Sequence, residues 1–472
     1  MYSKCLLIRN IAATLAIWCL LVPYAEAVDS VSCCQSLAAS LGSKVLYPDS
    51  TAYSSSLASY WSAQEQTTYP ACILRASSAQ DVSTALKVLV PRACKFAVRG
   101  GGHGALAGLA NIQDGVTIDL RGLDPIKPFA ANQLVSVGSG LRIGAIYHAL
   151  HPLGVAISGG RSYDVGVPGS TLGNGWGWLS NEAGFCCDNV VEYEVVLANG
   201  TIITASQQNN ANLWKSLKGG REQLWHHVVY SLTESQVPRL LSAVSDFAAR
   251  RKPDPKETLL FTFSYTPMVG NMYYIQCVYT APTVQPPAGF DQLLTLPGAL
   301  FRATNASNTL PGLSYDYNLN TPKGSQTYNA SIASVSGVYG IQWTLSFQPL
   351  TRLMTDASAA RGGNVLGIGL PPEEGLHEVQ LTAAFPDAVD YSRVSQAADQ
   401  LLADCTAAVK SPGADWPWVE MNHASHIQDP ISTYGEENRA FMMDTAAKYD
   451  PDAVFQTLMP GGYKLKGGHT GR

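Results

Sequence analysis

The sequence predicts an α+β protein of two lobes, and three observations predict it. The chain has 472 residues, too long for one ordinary hydrophobic core. Its first half mixes short apolar runs of strand type, amphipathic helical runs and clustered glycines. After Gly219-Gly220 the texture changes to stretches rich in Tyr, Phe, Thr and Val, separated by long helical patterns.

The elements follow in order. Residues 70–89 read as a strand and then a helix, with Ser78 and Asp81 spaced as a capping box and Val82, Ala85, Leu86 and Leu89 on one face. A short strand at 95–98 leads into glycines 100–102, and 115–120 and 134–137 read as further strands. A helix is expected at 143–153, and a hairpin at 190–206 turning at Asn199-Gly200. In the second lobe 234–251 is a strongly amphipathic helix, 259–280 favours strands, and 391–410 and 436–449 are helices. The expected organisation is a leader at 1–27, a first lobe at 28–220 (its core from about 66), a second lobe at 221–430, and a segment at 431–472 that returns to the first.

Hydrophobic residues make up 46% and charged residues 14%, as in a folded protein. The formal charge of −5 and the lack of a basic run give a nucleic-acid partner no electrostatic support. At the N-terminus, Lys4 and Arg9 precede an apolar run at 11–22 and a small-x-small site at Ala25-Glu26-Ala27. That is the pattern of a signal peptide cleaved after Ala27, and it predicts a secreted protein with no membrane contact after cleavage. A membrane anchor is the alternative, but the run is short of the ~20 residues a span needs. Cleavage leaves Cys33, Cys34, Cys72, Cys94, Cys186, Cys187, Cys277 and Cys405, and an exported chain of this kind is expected to carry some disulfides. Sequons at Asn199, Asn305 and Asn329 fit glycosylation in the same compartment.

Three glycine-rich stretches carry the chemistry: RGGGHG at 99–104, SGGR at 158–161 and VGVPGSTLGNGWG at 165–177. Glycine lets backbone N–H groups approach a ligand closely, and several such loops suit a pyrophosphate. Each stretch alone would pass for a tight turn; three within eighty residues indicate a nucleotide cofactor. None is a dinucleotide-binding G-x-G-x-x-G between strand and helix, which argues against a nicotinamide dehydrogenase, and none is a phosphate loop ending in G-K-[ST].

The motifs VRGGGHG at 98–104, GGR at 159–161, VGVPGSTLGNGWGWLS at 165–180, CDNVVEYEVVLANG at 187–200, YGEENR at 434–439 and AAKYDPDAVFQTLMPGGYKL at 446–465 resemble the berberine-bridge-enzyme-like flavin oxidases, within the vanillyl-alcohol-oxidase or PCMH superfamily. The resemblance runs from about 70 to the C-terminus and is weakest between roughly 255 and 410. It implies a PCMH-type FAD lobe with an α+β substrate lobe, and an oxidase that passes hydride from a small organic substrate to FAD and then to molecular oxygen. His103 matches the histidine bonded to the flavin 8α-methyl. Arg99, Gly100, Gly101, Gly102, Gly104, Gly160, Arg161, Val165, Gly166, Gly169 and Gly173 match the cofactor-binding loops, and Tyr434 and Asn438 match a C-terminal pair beside the cofactor. Val165 also matches a position where valine admits oxygen to the flavin.

Four departures stand out. Ser162 occupies the place of a cysteine that makes a second flavin bond in many members, so a single tether through His103 is expected. Pro168 interrupts the usual V-G-V-G-G and removes one backbone donor. His423 stands where many members have a catalytic tyrosine, and it reads equally as a base or as a surface histidine. Leu217-Lys-Gly-Gly220 runs directly into Arg221, where the family has a further strand of the flavin lobe. That gap motivates a second reading, a binding or structural glycoprotein on the same fold without catalysis.

Overall fold

The structure is a computed structural model. It describes residues 29–467 except 130–133, 216–224, 232–233, 251–252, 282–285, 298, 306–325, 329–337, 370–375 and 411–415. The leader, the join after Gly220 and Asn329 therefore lie outside the described residues.

The first lobe is built on a four-stranded sheet in the order β1 (Val45–Leu46), β2 (Cys72–Arg75), β4 (Val116–Asp119), β3 (Phe96–Arg99). β4 runs parallel to both β2 and β3. Parallel strands are covered on both faces, so CILR and FAVR open on three apolar residues, and all four residues of VTID are buried although they alternate apolar and polar. Leu74, Phe96 and Ile118 pack against Leu37 of α1 (Ser30–Leu41) and Ala85, Leu86 and Leu89 of α3 (Ala79–Leu89). In the chain between these helices comes α2 (Thr51–Ala58), whose Tyr53 and Leu57 pack with Tyr60 and Ile73 instead. Ser78 caps α3 by accepting the Asp81 N–H, as expected. The reciprocal half of the capping box does not form: the Asp81 carboxylate accepts the N–H of Ser77 and the Lys44 ammonium instead. Cys33–Cys94 and Cys34–Cys72 disulfides pin α1 to this sheet, and Cys186, Cys187, Cys277 and Cys405 form no disulfide.

Two hairpins extend the lobe: β5 (Ile126–Phe129) with β6 (Leu134–Val137), and β7 (Glu192–Val196) with β8 (Ile202–Ser206). The second turns at Asn199-Gly200 as expected, Gly200 taking φ +79° and Asn199 lying exposed. The helix expected at 143–153 is α4 (Ile143–Leu150) followed by one 3₁₀ turn.

The second sheet has seven antiparallel strands in the order β12 (Ala299–Asn305), β9 (Trp225–Ser231), β11 (Gly270–Tyr279), β10 (Glu257–Thr266), β14 (Gln342–Leu350), β15 (Leu376–Phe385), β13 (Gln326–Tyr328). β9, starting directly after the undescribed join, is a strand the sequence reading passes over. Alternation sends Leu259, Phe261, Tyr273, Ile275 and Cys277 toward α6 (Val237–Ala248). It sends Leu260 and Val278 the other way, onto Ile143, Tyr147, Trp178 and Leu179 of the first lobe. The glycine-rich lobe thus faces a sheet surface that also carries the buried polar residues Thr262, Gln276 and Gln348. The two long helices expected near the C-terminus are α7 (Tyr391–Lys410) and α8 (Glu436–Tyr449). Beyond α8 the chain returns to the four-stranded sheet, where Val454 joins its core and the Leu458 carbonyl accepts the Phe96 N–H. Among the described residues no helix is long and apolar enough to cross a membrane.

Candidate active site

The glycine stretches form one cradle. β3 ends at Arg99, and the next residues run against 165–168 so closely that a Cβ on Gly101 would collide with the Gly166 backbone. Gly100 lies beneath the Pro168 ring. Gly102 takes φ +70°, a conformation that favours glycine. The cradle is held from outside: the Arg142 guanidinium donates to the carbonyls of Gly101 (3.0 Å) and Ser59 (2.9 Å) and pairs with Asp164 (2.9 Å). Gly166 is the N-cap of α5 (Val167–Leu172), and Pro168 falls in the first turn of that helix. There its missing N–H costs the helix no internal bond. Gly160 and Gly173 line the same region: the Gly160 carbonyl accepts the Tyr147 hydroxyl, and the Gly173 carbonyl accepts the Asn422 amide. Gly104 is tied to Ser62 through its carbonyl, whereas Gly169 has open space where a Cβ would go.

His103 projects from this cradle. Its ring stacks on Trp61, centroids 4.3 Å apart and planes 12° from parallel. Nε2 is buried and has no hydrogen-bond partner. Burial, reinforced by the Arg142 charge, brings the imidazole pKa down to about 4. The ring is therefore neutral at physiological pH, with a buried, unpartnered nitrogen. Neighbouring Arg99 does something else: its fully buried guanidinium bonds Ser56 and Ser59, lies 3.5 Å over the Tyr60 ring and packs against Gly102, tying the cradle to those residues.

His423 lies in a second cluster on the facing side. Its Nδ1 is 2.8 Å from Glu378 Oε1, on β15, and 3.3 Å from Glu420 Oε2. Its own N–H donates to Glu420 at 2.6 Å. Gln348, paired with Glu378 across β14 and β15, donates to the other Glu378 oxygen. Glu420 is 4% exposed and its Oε1 has no partner, so burial raises its pKa. Burial alone would lower the His423 pKa, but the charges of Glu420 and Glu378 outweigh it and the net shift is upward. This is a half-buried, acid-clamped imidazole rather than an isolated surface histidine; its ring is 24% exposed. Arg161 is buried beside Trp178 and acts electrostatically on both Glu420 and His423. Tyr434 is buried near Glu420, which adds to the upward shift that burial gives its hydroxyl. Asn438, on α8, donates to the Tyr434 carbonyl. Asn422 joins the two halves by donating to Gly173 from the residue beside His423. Val165 packs at the same junction, against the cluster of Ile143, Trp178 and Leu260, and Ser162 is buried nearby in sequence.

Sequence reasoning missed Glu378, Glu420, Trp61 and Arg142. Glu420 stands three residues before His423 and carried a local signal; Glu378 is 45 residues away on β15 and carried none.

A family model described as an FAD binding domain matches residues 70–206. An FAD-dependent monooxygenase of Fusarium proliferatum (strain ET1) is 30% identical over 453 residues, covering 86% of this chain and 87% of the relative. The chain belongs to the berberine-bridge-enzyme-like FAD-linked oxidoreductases. Solved structures show the same fold for this flavoenzyme. The 6-hydroxy-D-nicotine oxidase of Arthrobacter nicotinovorans superimposes with TM-score 0.70 at 17% identity, covering 89% of this chain and 97% of that one. The glucooligosaccharide oxidase of Acremonium strictum, whose FAD is described as 6-S-cysteinyl and 8α-N1-histidyl, gives 0.64 at 15%, covering 90% and 97%. The enzyme is an FAD-dependent oxidoreductase of α+β fold.

Proposed function

We propose that this oxidoreductase is an exported oxidase that holds FAD by a single covalent bond through His103 and oxidises a small organic molecule, a step in making a secondary metabolite. The observation that carries the tether is the neutral imidazole with its buried, unpartnered Nε2 at the mouth of the glycine cradle. Only an unprotonated ring nitrogen has the lone pair that attack on an electrophilic methyl requires. Trp61 holds the ring in place during that attack. Ser162 cannot supply a second bond, because a hydroxyl is almost never ionised and is a far weaker nucleophile than a thiolate.

Bound FAD would supply the hydride acceptor and return the electron pair to molecular oxygen as hydrogen peroxide. Around it, the chain's residues divide the remaining work. Gly100, Gly101, Gly102, Gly104, Gly166, Gly169 and Gly173 would bring backbone to the cofactor, and Gly160, Arg161 and Val165 would flank its reacting end. His423 takes the proton from the substrate's heteroatom, and Glu378 and Glu420 orient it and stabilise the resulting charge. Tyr434 and Asn438 close the site from the C-terminal segment. The two disulfides and the exposed Asn199 turn support export and glycosylation. We read 28–220 with 431–472 as the FAD lobe and 221–430 as the substrate lobe.

The test is acid precipitation of the flavin-loaded protein. The colour stays in the pellet, and a tryptic peptide containing His103 carries the flavin mass. His103→Ala releases all flavin, and Ser162→Ala changes nothing covalent. Free FAD in the wild-type supernatant refutes the tether. Equimolar peroxide per oxygen consumed marks the oxidase; an oxygen atom from O₂ in the product marks a monooxygenase.

A further inference from the structure

Asn174 sits inside the third glycine stretch, between Gly173 and Gly175, and the site as described leaves it without a role. It is fully buried, at 0% exposure, and neither its Oδ1 nor its Nδ2 has a hydrogen-bond partner. Its backbone is left-handed, φ +83°, where glycine is favoured and asparagine is strained. Its carbonyl accepts the Cys187 N–H, so the main chain is pinned on that side. On the other side Gly173 abuts Asn422, the residue before His423. A buried carboxamide in strained backbone, with donor and acceptor both unmet, is expensive on folding grounds alone. Such a cost persists when a ligand offers the complementary pair.

We propose that the Asn174 carboxamide recognises the pyrimidine edge of the flavin ring. That edge presents one N–H donor flanked by two carbonyl acceptors, and a carboxamide can satisfy an adjacent donor and acceptor there at once. Adenine offers a similar pair on the other end of FAD. The pyrimidine is favoured because the Asn174 loop contacts the segment bearing His423, which belongs at the reacting end. The assignment rests on the chain binding FAD between cradle and His423 cluster, and its test is separate from that of the tether.

Flavin is titrated onto His103→Ala protein, which binds it reversibly, with and without Asn174→Gly. Glycine accepts φ +83° and removes both unmet groups, so the flavin-free protein unfolds at an unchanged or higher temperature. FAD binding weakens roughly tenfold to thirtyfold, the loss of two net hydrogen bonds. FMN, which lacks the adenine, weakens by the same factor. An unchanged FAD affinity overturns the proposal, whatever the melting temperature does. A loss seen with FAD and absent with FMN also overturns it, in favour of adenine. Should Asn174→Gly fail to fold, Asn174→Asp keeps the shape but loses the donor, and an unweakened FAD affinity in that variant overturns the proposal equally. Flavin bound without a His103 adduct in wild type sinks the tether alone, and the same titration then runs on the wild-type background.

Discussion

At His423 the sign of the pH dependence follows from the neighbours. A base must be neutral to accept a proton, and Glu420 and Glu378 raise its pKa above the usual 6.5 against the pull of burial. The rate of flavin reduction should therefore rise with pH through a value above 6.5 and level off on the alkaline side. Glu378→Gln removes one of the charges, so the rising limb should move to lower pH; a limb that stays in place excludes Glu378 from the cluster's electrostatics. His423→Ala should flatten the limb and slow reduction by roughly 10²-fold or more. The oxygen access proposed for Val165 concerns the oxidative half instead. Val165→Leu adds bulk at a packed junction, and stopped-flow traces should show slower reoxidation with unchanged reduction. Equal oxygen rates in both forms would remove Val165 from oxygen access.

At the scale of elements, the cradle depends on two backbone segments lying closer than side chains allow. Gly101→Ala places a methyl against the Gly166 backbone, and neither chain can yield without unseating Arg142. We expect a destabilisation of about 1–3 kcal/mol or more, read as a lower Tm and lost flavin absorbance. Gly169→Ala is the control inside the same stretch. Nothing lies within 4 Å of its added methyl, and the position is helical. Alanine there should keep or raise the Tm by a gain of up to about 1 kcal/mol. Flavin loss in that variant then reports contact with the cofactor rather than damage to the fold.

For the whole molecule, the first lobe is held by covalent as well as hydrophobic links. The Cys33–Cys94 bridge closes a loop of sequence separation 61, worth about 4 kcal/mol in the chain-entropy estimate. Cys33→Ser with Cys94→Ser should lower the Tm, and a peptide map of the wild-type protein without reductant should show both cross-links. A variant melting with wild type would mean that the bridge does not constrain the unfolded chain.

The sequence by itself determined the fold class and the glycine stretches that meet in one cradle, because their signals are local. Glycine spacing, the capping of α3 and the hairpin at Asn199-Gly200 depend on residues a few positions apart. Periodicity likewise placed α7 and α8. Only the tertiary structure decided what surrounds each group. The sequence reading held base and bystander level for His423, and the surroundings differ because β15 carries Glu378 to it from 45 residues away. Arg99 is next to the glycine run in sequence, yet its side chain belongs to the packing of Ser56, Ser59 and Tyr60 on α2 and the residues after it. Eight cysteines implied disulfides, but which pairs form depends on α1 lying across β2 and the end of α3. In each case the deciding interaction acts over a few ångströms through space between residues far apart in the chain, and no pattern within a short window of sequence records it.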